Sequence, residues 1–307
     1  MHAAATVLLL REVEAQLEVL MMCRGAGLSF MAGMWVFPGG RVDAADATAA
    51  ACRCLAATSA AADCDHLQTL DGEPVPAGQA VALRVAACRE TFEEAGVLLA
   101  RDAQGRPCRA ERVEALQARR TAVAGDAASF VTMLEEEELY LDADRLVYWS
   151  HWITPSLEPK RFDTRFFAIA VPPEQAVSAD LSELTHHAWI RPARASEAIE
   201  RGEIRVVPPT LLTLEDLAES YARHGRLDAM LAAERGRAVP AVMPRIDASA
   251  GELRVVMPWD PGYASAPGEG CVPVGGFPAH LSARRSCIVL SAGREARRPA
   301  EKKKAPD

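Results

Sequence analysis

The sequence predicts an α/β fold, in which β-strands and α-helices share one core. Apolar runs of strand length at residues 6–11 and 17–24 predict a hairpin near the amino terminus. The stretch that ends at Gly96 has the pattern of a helix, and residues 97–100 predict a strand directly after it. A chain of 307 residues is long for one domain, so we expect one domain followed by an extension.

Composition and charge argue against several classes of protein. The chain is 50% hydrophobic and 25% charged, which is typical of a globular protein. Its net charge of −8 argues against a general nucleic-acid binder. No apolar run reaches the ~18 residues that span a bilayer, so no membrane partner is expected. Eight cysteines without a secretory signal predict free thiols and a cytoplasmic location.

The amino-terminal part alternates strands, turns and helices. After the hairpin, residues 35–37 predict a short strand that enters a Pro-Gly-Gly turn. Glycine allows positive φ and close approach of the backbone to a ligand, so Gly39 and Gly40 are candidates for substrate binding. Residues 43–80 are rich in alanine and predict a small helical insertion, which leads into the helix that ends at Gly96.

The remaining elements are predicted from the same kinds of pattern. Helices are expected at residues 111–120, 127–138, 196–201 and 211–224. Strands are expected at residues 146–154, 165–171, 185–190, 252–257 and 287–290. The predicted division is a domain over residues 1–224, a C-terminal extension over residues 225–292 and a disordered basic tail over residues 293–307.

Three carboxylates fall on one face of the helix that ends at Gly96. Glu90, Glu93 and Glu94 are spaced i, i+3 and i+4, and only Arg89 in this stretch offsets their mutual repulsion. Such a run can be a solvated helix face. A hard divalent cation would also resolve the repulsion, because Mg²⁺ takes carboxylate and phosphate oxygens as ligands. These residues are therefore candidate metal ligands.

The residues around these carboxylates carry a resemblance to a known family. The stretch Arg89-Glu-Thr-Phe-Glu-Glu-Ala-Gly-Val97 fits R-E-U-x-E-E-x-G-U, where U is a bulky aliphatic residue, except that Thr91 occupies one U position. Together with the Pro-Gly-Gly turn, it resembles the Nudix box of the Nudix hydrolases. The resemblance implies an α/β/α sandwich with a mixed central sheet, in which the box forms a loop-helix-loop against the sheet.

The spacing within the box departs from the family pattern. Gly40 and Arg89 are 49 positions apart (89 − 40), whereas G-x5-E-x7-R separates them by 14, so about 35 residues are inserted. Counting forward from Gly40 puts the first glutamate position at Asp46, and counting back from Arg89 puts it at Val81. Box insertions of this kind, and the segments at residues 151–155 and 160–167, resemble the branch that contains coenzyme A diphosphatases.

The resemblance assigns roles to the residues of the box. Glu90, Glu93 and Glu94 are expected to hold Mg²⁺ or Mn²⁺, and Glu90 and Glu93 to serve catalysis. Either a metal-bound water or one deprotonated by Glu93 or by a carboxylate outside the box would attack phosphorus. Arg89 is expected to orient the glutamates by charge-assisted hydrogen bonds.

Other candidates lie outside the box. Arg161 and Arg165 could bind substrate phosphates, because arginine binds phosphate oxygens with two donors; an exposed basic loop is the alternative. Glu137, at the end of a predicted helix, and Glu183, before a predicted strand, are candidates for the additional carboxylate of many Nudix enzymes.

The resemblance implies hydrolysis of a diphosphate linked to another moiety in a nucleotide-type small molecule. Coenzyme A or acyl-coenzyme A is the substrate that the branch suggests. ADP-ribose, a dinucleotide and a nucleotide sugar remain open, because all present the same diphosphate. A Nudix-like module that senses a nucleotide without cleaving it is the alternative from another class, and the three box glutamates argue against it. A homodimer formed through the extension is a further prediction.

Overall fold

The computed structural model of the protein describes residues 1–25, 32–55, 67–172, 175–178, 184–248, 252–273 and 276–290. Its strands are β1 (His2–Val13), β2 (Gln16–Arg24), β3 (Trp35–Val36), β4 (Gly39–Arg41), β5 (Ala100–Asp102), β6 (Leu139–Leu141), β7 (Val147–Ile153), β8 (Phe162–Ala170), β9 (Leu184–Ile190), β10 (Ala241–Val242), β11 (Arg245–Asp247), β12 (Leu253–Val256) and β13 (Cys287–Leu290). Its α-helices are α1 (Ala49–Arg53), α2 (Ala77–Ala95), α3 (Ala110–Gln117), α4 (Arg120–Gly125), α5 (Ala128–Glu136), α6 (Pro192–Glu200), α7 (Pro208–His224), α8 (Leu227–Glu234) and α9 (Ala279–Ser282).

The strand β1 is at the centre of a mixed sheet of eight strands among the described residues. It pairs in parallel with β8 and antiparallel with β2 and β4. Beyond β8 the sheet continues with β7 and β10, while β3 and β9 pair with β2. The predicted hairpin is confirmed, and its two loop residues, Glu14 and Ala15, have φ values of 51° and 55°. Positive φ at both positions is the geometry that matches the twist of a two-residue hairpin.

Helices cover both faces of this sheet. Side chains of β1 alternate between two buried clusters, with Val7 and Leu9 in one and Leu8 and Leu10 in the other. The first cluster includes residues of α2, α3 and α5, and the second includes residues of α7 and α8. The predicted α/β/α sandwich with a mixed central sheet is therefore confirmed.

The helix α2 carries the predicted carboxylates. It begins at Ala77, directly after Pro76, and most of its residues are buried. It ends where Gly96 adopts the left-handed conformation (φ 67°) and its N–H donates to the carbonyl of Phe92 at 3.0 Å. The predicted insertion starts with a 3-10 helix at Ala44–Ala47 and α1, and its residues 56–66 lie outside the described ranges.

The prediction of a strand over residues 97–100 is wrong except for its last residue. The strand β5 begins at Ala100. Leu98 instead donates its N–H to Oε1 of Gln175 at 2.9 Å and accepts a hydrogen bond from Nε2 of the same side chain at 3.0 Å. The side chain of Gln175 thus makes the two backbone hydrogen bonds of Leu98 that a neighbouring strand would make in a sheet.

The predicted C-terminal extension is joined to the central sheet. The strand β10 pairs in parallel with β7, with Val242 opposite Trp152. The predicted strands at residues 252–257 and 287–290 are confirmed as β12 and β13, which form a second sheet with β11. The domain boundary at residue 224 stays a prediction, and the tail at residues 293–307 lies outside the described part of the chain. Within that part, no helix combines the length and apolar character that a membrane span requires.

Candidate active site

The Gly-Gly turn and the last turns of α2 meet at one site. The strand β4 pairs with β1 so that Gly40 lies opposite Ala5. A Cβ atom at Gly40 would overlap the carboxyl group of Glu90, and one at Gly39 would overlap the backbone of β1. The turn therefore needs glycine because backbone and carboxylates approach each other closely. The prediction that Gly39 and Gly40 contact substrate is not tested by this geometry.

Arg89 connects the carboxylates of the box. Its Nη1 lies 2.9 Å from Oε1 of Glu90 and 2.7 Å from Oε1 of Glu93. Its Nη2 donates to the backbone carbonyl of Arg41 at 3.0 Å, and its side chain is only 5% exposed. One guanidinium thus fixes the separation of two glutamates and ties them to the glycine turn. The expected orienting role of Arg89 agrees with these contacts.

The structure resolves which residue takes the first acidic position of the box. Asp46 is fully buried and accepts two hydrogen bonds from Arg89, at 2.9 Å from Nε and 3.0 Å from Nη2. Its Oδ2 also accepts the N–H of Asp43 at 2.8 Å. Val81, the alternative position, is apolar and packs against the core from α2. The acid is therefore kept as Asp46, and the inserted residues follow it.

Burial raises the pKa values of the two outer glutamates, Glu90 and Glu94. Desolvation raises the pKa of Glu90 to about 7, although the nearby Arg89 lowers it, and the charge of Glu93 adds to the rise. Desolvation also raises the pKa of Glu94 to about 8; the charge of Glu90 adds to this rise, and the N–H of Gly39 opposes it. The Gly39 N–H donates to Oε2 of Glu94 at 2.8 Å. Both carboxylates are thus partly removed from water, and the one guanidinium near Glu90 is shared with Asp46 and Glu93.

These carboxylates fit a divalent cation by the chemistry of their oxygens. No hydrogen bond from the described residues reaches Oε2 of Glu90 or Oε1 of Glu94. Among the described residues, no three Asp, Glu, His or Cys side chains lie close enough together to hold a metal ion by themselves. Mg²⁺ needs only one or two carboxylates, because waters and substrate phosphates complete its octahedron. The two carboxylate oxygens without donors are therefore suitable ligands.

Arg161 and Arg165, the candidates for binding substrate phosphates, have partners within the protein. Arg165 is 1% exposed, forms an ion pair with Asp163 at 2.5 Å and donates to the carbonyl of Gln68 at 2.7 Å. Arg161 donates to the carbonyl of Thr154 at 3.2 Å and lies 3.4 Å from Sδ of Met243. Arg165 is therefore too deeply buried to contact a phosphate at the surface. One donor of Arg161 is already bonded to a backbone carbonyl. The two arginines hold the insertion and the extension against the sheet.

The two distal carboxylate candidates have different outcomes. Glu137 is at the end of α5 and forms an ion pair with Arg112 at 2.9 Å. No contact within the described ranges joins Glu137 to Glu90, Glu93 or Glu94. Glu183 lies outside the described residues, so its role stays a prediction.

Sequence patterns did not identify Arg120, which reaches the end of α2. Its Nε and Nη2 donate to the backbone carbonyl of Glu93 at 3.1 and 2.6 Å. Arg120 is 27 residues beyond Glu93 and starts a separate short helix. No local spacing links these positions, so only the fold could reveal this contact.

The chain matches the sequence profile described as NUDT19 Nudix domain over residues 2–217. It is 31% identical over 228 residues to acyl-coenzyme A diphosphatase NUDT19 of Homo sapiens, which covers 66% of this chain and 60% of that protein. The Xenopus laevis protein of the same name is 30% identical over 227 residues, 65% of this chain and 59% of that protein. The chain therefore spans about three fifths of the length of these relatives.

A solved structure is similar over most of this chain. The crystal structure of a NUDIX hydrolase from Alicyclobacillus acidocaldarius has a TM-score of 0.61 and 26% identity, and it covers 76% of this chain and 96% of that one. The profile match begins in β1 and ends inside α7, so it includes the box and the central strands but not β10 to β13.

Proposed function

Because the chain belongs to the Nudix family described as NUDT19 Nudix domain, we propose that it is a divalent-metal-dependent diphosphate hydrolase that acts on coenzyme A or acyl-coenzyme A. The observation that carries the proposal is the partly buried set of Glu90, Glu93 and Glu94 beside the glycine turn, organised by Arg89. Such a set has a surplus of negative charge, and a cation with a phosphate-bearing substrate would balance it.

The proposed reaction cleaves one phosphoric anhydride bond. Water adds its oxygen to one phosphorus, the P–O bond to the bridging oxygen breaks, and the second phosphate leaves with that oxygen. With coenzyme A the products would be 3′,5′-ADP and 4′-phosphopantetheine. The proton lost by water passes to a carboxylate or to solvent, so atoms and charge balance.

The protein's own residues supply position and charge. Mg²⁺ or Mn²⁺, when bound, would neutralise phosphate oxygens and lower the pKa of water. Oε2 of Glu90 and Oε1 of Glu94 are the oxygens best placed to hold it, because they accept no other hydrogen bond from the described residues. Arg89 keeps Glu93 beside Glu90 through Nη1, and Asp46 keeps Arg89 in place. Glu93 is our candidate for the base that deprotonates the attacking water. Arg89 orients its carboxylate, and it lies next to the expected cation ligands.

The choice of substrate rests on the relatives and is the finer part of the proposal. Proteins about 30% identical to this chain are named acyl-coenzyme A diphosphatases. Because the chain spans about three fifths of their length, the activity has to be measured on this protein itself. The proposed homodimer and the cytoplasmic location remain predictions.

The test is a panel of diphosphate substrates with Mg²⁺ or Mn²⁺ and with a chelator. We would incubate the protein with coenzyme A, acetyl-coenzyme A, ADP-ribose, NADH and UDP-glucose in ¹⁸O-labelled water and identify products by mass spectrometry. We expect 3′,5′-ADP from the coenzyme A substrates and no product with the chelator. The labelled product shows which phosphorus water attacks.

The outcomes separate the parts of the proposal. Turnover of another substrate in the panel, with none of coenzyme A, would keep the hydrolase and reject the substrate assignment. Metal-dependent binding of a nucleotide without any cleavage would reject the enzyme and favour a sensing module.

A further inference from the structure

The carboxyl end of α2 is held by groups from elsewhere in the chain. The last carbonyls of a helix have no partner within the helix. Here the carbonyl of Ala95 accepts the N–H of Ser178 at 2.9 Å, and that of Gly96 accepts Nε2 of Gln117 at 3.2 Å. The carbonyl of Glu93 accepts two hydrogen bonds from Arg120, at 3.1 and 2.6 Å. Three outside side chains or backbone groups thus fix the turn that carries Glu93 and Glu94.

Arg120 also joins this turn to a second segment. Its Nη1 donates to the backbone carbonyl of Ser178 at 2.8 Å, while Nε and Nη2 remain on Glu93. The segment at residues 175–178 is held further by Gln175, which bonds both backbone groups of Leu98. The planar guanidinium is suited to this task because its donors point in fixed directions. Its positive charge also lies at the negative end of the helix dipole.

Gly96 leaves the space that this arrangement needs. A Cβ atom at Gly96 would lie 3.0 Å from Nε2 of Gln117 and 3.1 Å from Nη1 of Arg120. The φ of 67° is a second reason for glycine at this position. The glycine of the box therefore ends the helix and also allows Arg120 to approach its last turn.

We propose that Arg120 is a positioning residue for Glu93. Glu93 is held at two points, its carboxylate by Nη1 of Arg89 at 2.7 Å and its backbone carbonyl by Arg120. Arg120 acts through the backbone of α2. The inference rests on the proposed function for its kinetic consequence, but its structural consequence can be measured without a substrate. Misplacement of a catalytic group by about 1 Å can cost on the order of 100-fold in rate.

The test compares Arg120→Gln with Arg119→Gln. Arg119 is the adjacent residue and pairs with Glu136 at 2.6 Å on a partly exposed surface, so it controls for loss of an arginine at the start of α4. We expect Arg120→Gln to lower kcat by about 10- to 100-fold with little change in KM. We expect Arg119→Gln to leave kcat unchanged. Arg120→Lys should fall between, because an ammonium group keeps the charge but lacks the planar fork.

Two readouts do not depend on turnover. Backbone amide exchange in the peptide that contains the end of α2 should be faster in Arg120→Gln than in wild type or Arg119→Gln. Mn²⁺ affinity, measured by calorimetry, should be weaker in Arg120→Gln. If wild type turns over none of the panel substrates while these two readouts change as expected, the proposed function fails and the positioning role stands.

The opposite pattern overturns the inference. Wild-type exchange at the end of α2 together with wild-type kcat in Arg120→Gln would show that Arg120 does not position Glu93. A fall in thermal stability with kcat per folded molecule unchanged would show a structural role alone. If Arg120→Gln fails to fold, the same measurements are made on Arg120→Lys.

Discussion

Two clusters of buried and partly buried charged side chains lie in different parts of the molecule, and their charge balance differs. The box cluster consists of Asp46, Arg89, Glu90, Glu93 and Glu94. The extension cluster consists of Asp216, Glu234, Arg237 and Arg284. The box cluster therefore has four acids for one arginine, whereas the extension cluster has two acids for two arginines.

The members of the extension cluster pair with one another, and Arg223, Ser220 and Glu219 add further partners. Asp216 lies 2.9 Å from Nη2 of Arg237 and 2.8 Å from Nη2 of Arg284, and Glu234 lies 3.0 Å from Nη1 of Arg237. Arg237 also donates to the carbonyl of Trp149 in β7 at 2.6 Å and lies over its ring. The cluster thus connects α7, the end of α8 and Arg284, two residues beyond α9, to the sheet.

The contrast indicates what each cluster does. A balanced buried cluster needs no external ion, and its role is to hold the extension in place. An unbalanced one costs stability until a cation arrives, which is typical of a site that binds one. The following predictions test whether substitutions in the box cluster change turnover and substitutions in the extension cluster change stability.

The largest expected effect is on turnover. Glu93→Gln keeps the size of the side chain but removes its charge, and we expect kcat to fall by about 1,000-fold because stabilisation of the transition state is lost. Steady-state kinetics on coenzyme A would measure it. The control is Glu137→Gln, an acid paired with Arg112 at the end of α5, which should stay near wild type. Wild-type turnover in Glu93→Gln would remove the box as the site.

In the extension cluster, substitution should affect stability instead. Asp216→Ala leaves Arg284, which is 3% exposed, without its buried partner, so we expect the free energy of unfolding to fall by about 3–5 kcal/mol. Denaturant titration would measure this loss. Glu215→Gln, next in sequence and paired with the half-exposed Arg285, should cost less than about 1 kcal/mol. A loss of kcat per folded molecule in Asp216→Ala would break the proposed separation.

The pH dependence of stability should come from the box. Because the folded pKa values of Glu90 and Glu94 are raised to about 7 and about 8, the folded state keeps protons that the unfolded state releases. Stability without metal should therefore fall as pH rises from about 4.5 to about 8. Thermal unfolding at several pH values in a chelator would measure the slope.

Excess Mg²⁺ should reduce this loss, since the cation binds the charged carboxylates of the folded state. The double variant Glu90→Gln and Glu94→Gln should flatten the slope in the chelator. A slope that persists unchanged in this variant would assign the pH dependence to other groups.

The smallest effect is expected from the glycine turn. In Gly40→Ala the added methyl group meets the end of a flexible side chain, the carboxyl group of Glu90, so the fold should persist. We expect kcat to fall by about 10-fold, because Glu90 has to move. Kinetics and circular dichroism would be compared with Gly78→Ala, where a Cβ meets nothing within 4 Å. Equal kinetics for both variants would show that close approach at Gly40 is not needed.

The sequence was sufficient for local features of the site and insufficient for distant ones. Helical spacing alone predicted that Glu90, Glu93 and Glu94 share a face, and glycine content predicted the turn. Counting residues along the box could not decide whether Asp46 or Val81 takes the first acidic position. The deciding observation is the ion pair of Asp46 with Arg89, which are 43 residues apart.

Longer-range contacts explain the remaining errors. The sequence offered Arg165 as a phosphate-binding candidate or as part of an exposed basic loop, whereas Asp163 and the insertion bury this side chain. The strand expected at residues 97–100 was replaced by hydrogen bonds to Gln175, 77 positions from Leu98. No periodicity encodes such partners, so the wrong predictions concern residues whose neighbours come from distant parts of the chain.

The ion pair between Asp46 and Arg89 has a consequence for how the chain can vary in length. It closes a loop of 43 positions where the family pattern closes one of 8. Closure entropy grows only with the logarithm of loop length, so this increase costs about 1.5 kcal/mol. Both ends of the loop are fixed on the same side of the site, by a short 3-10 helix and by α2. The interval between Asp46 and Arg89 is therefore a point where evolution can lengthen or shorten the protein at small cost while the catalytic geometry is inherited unchanged.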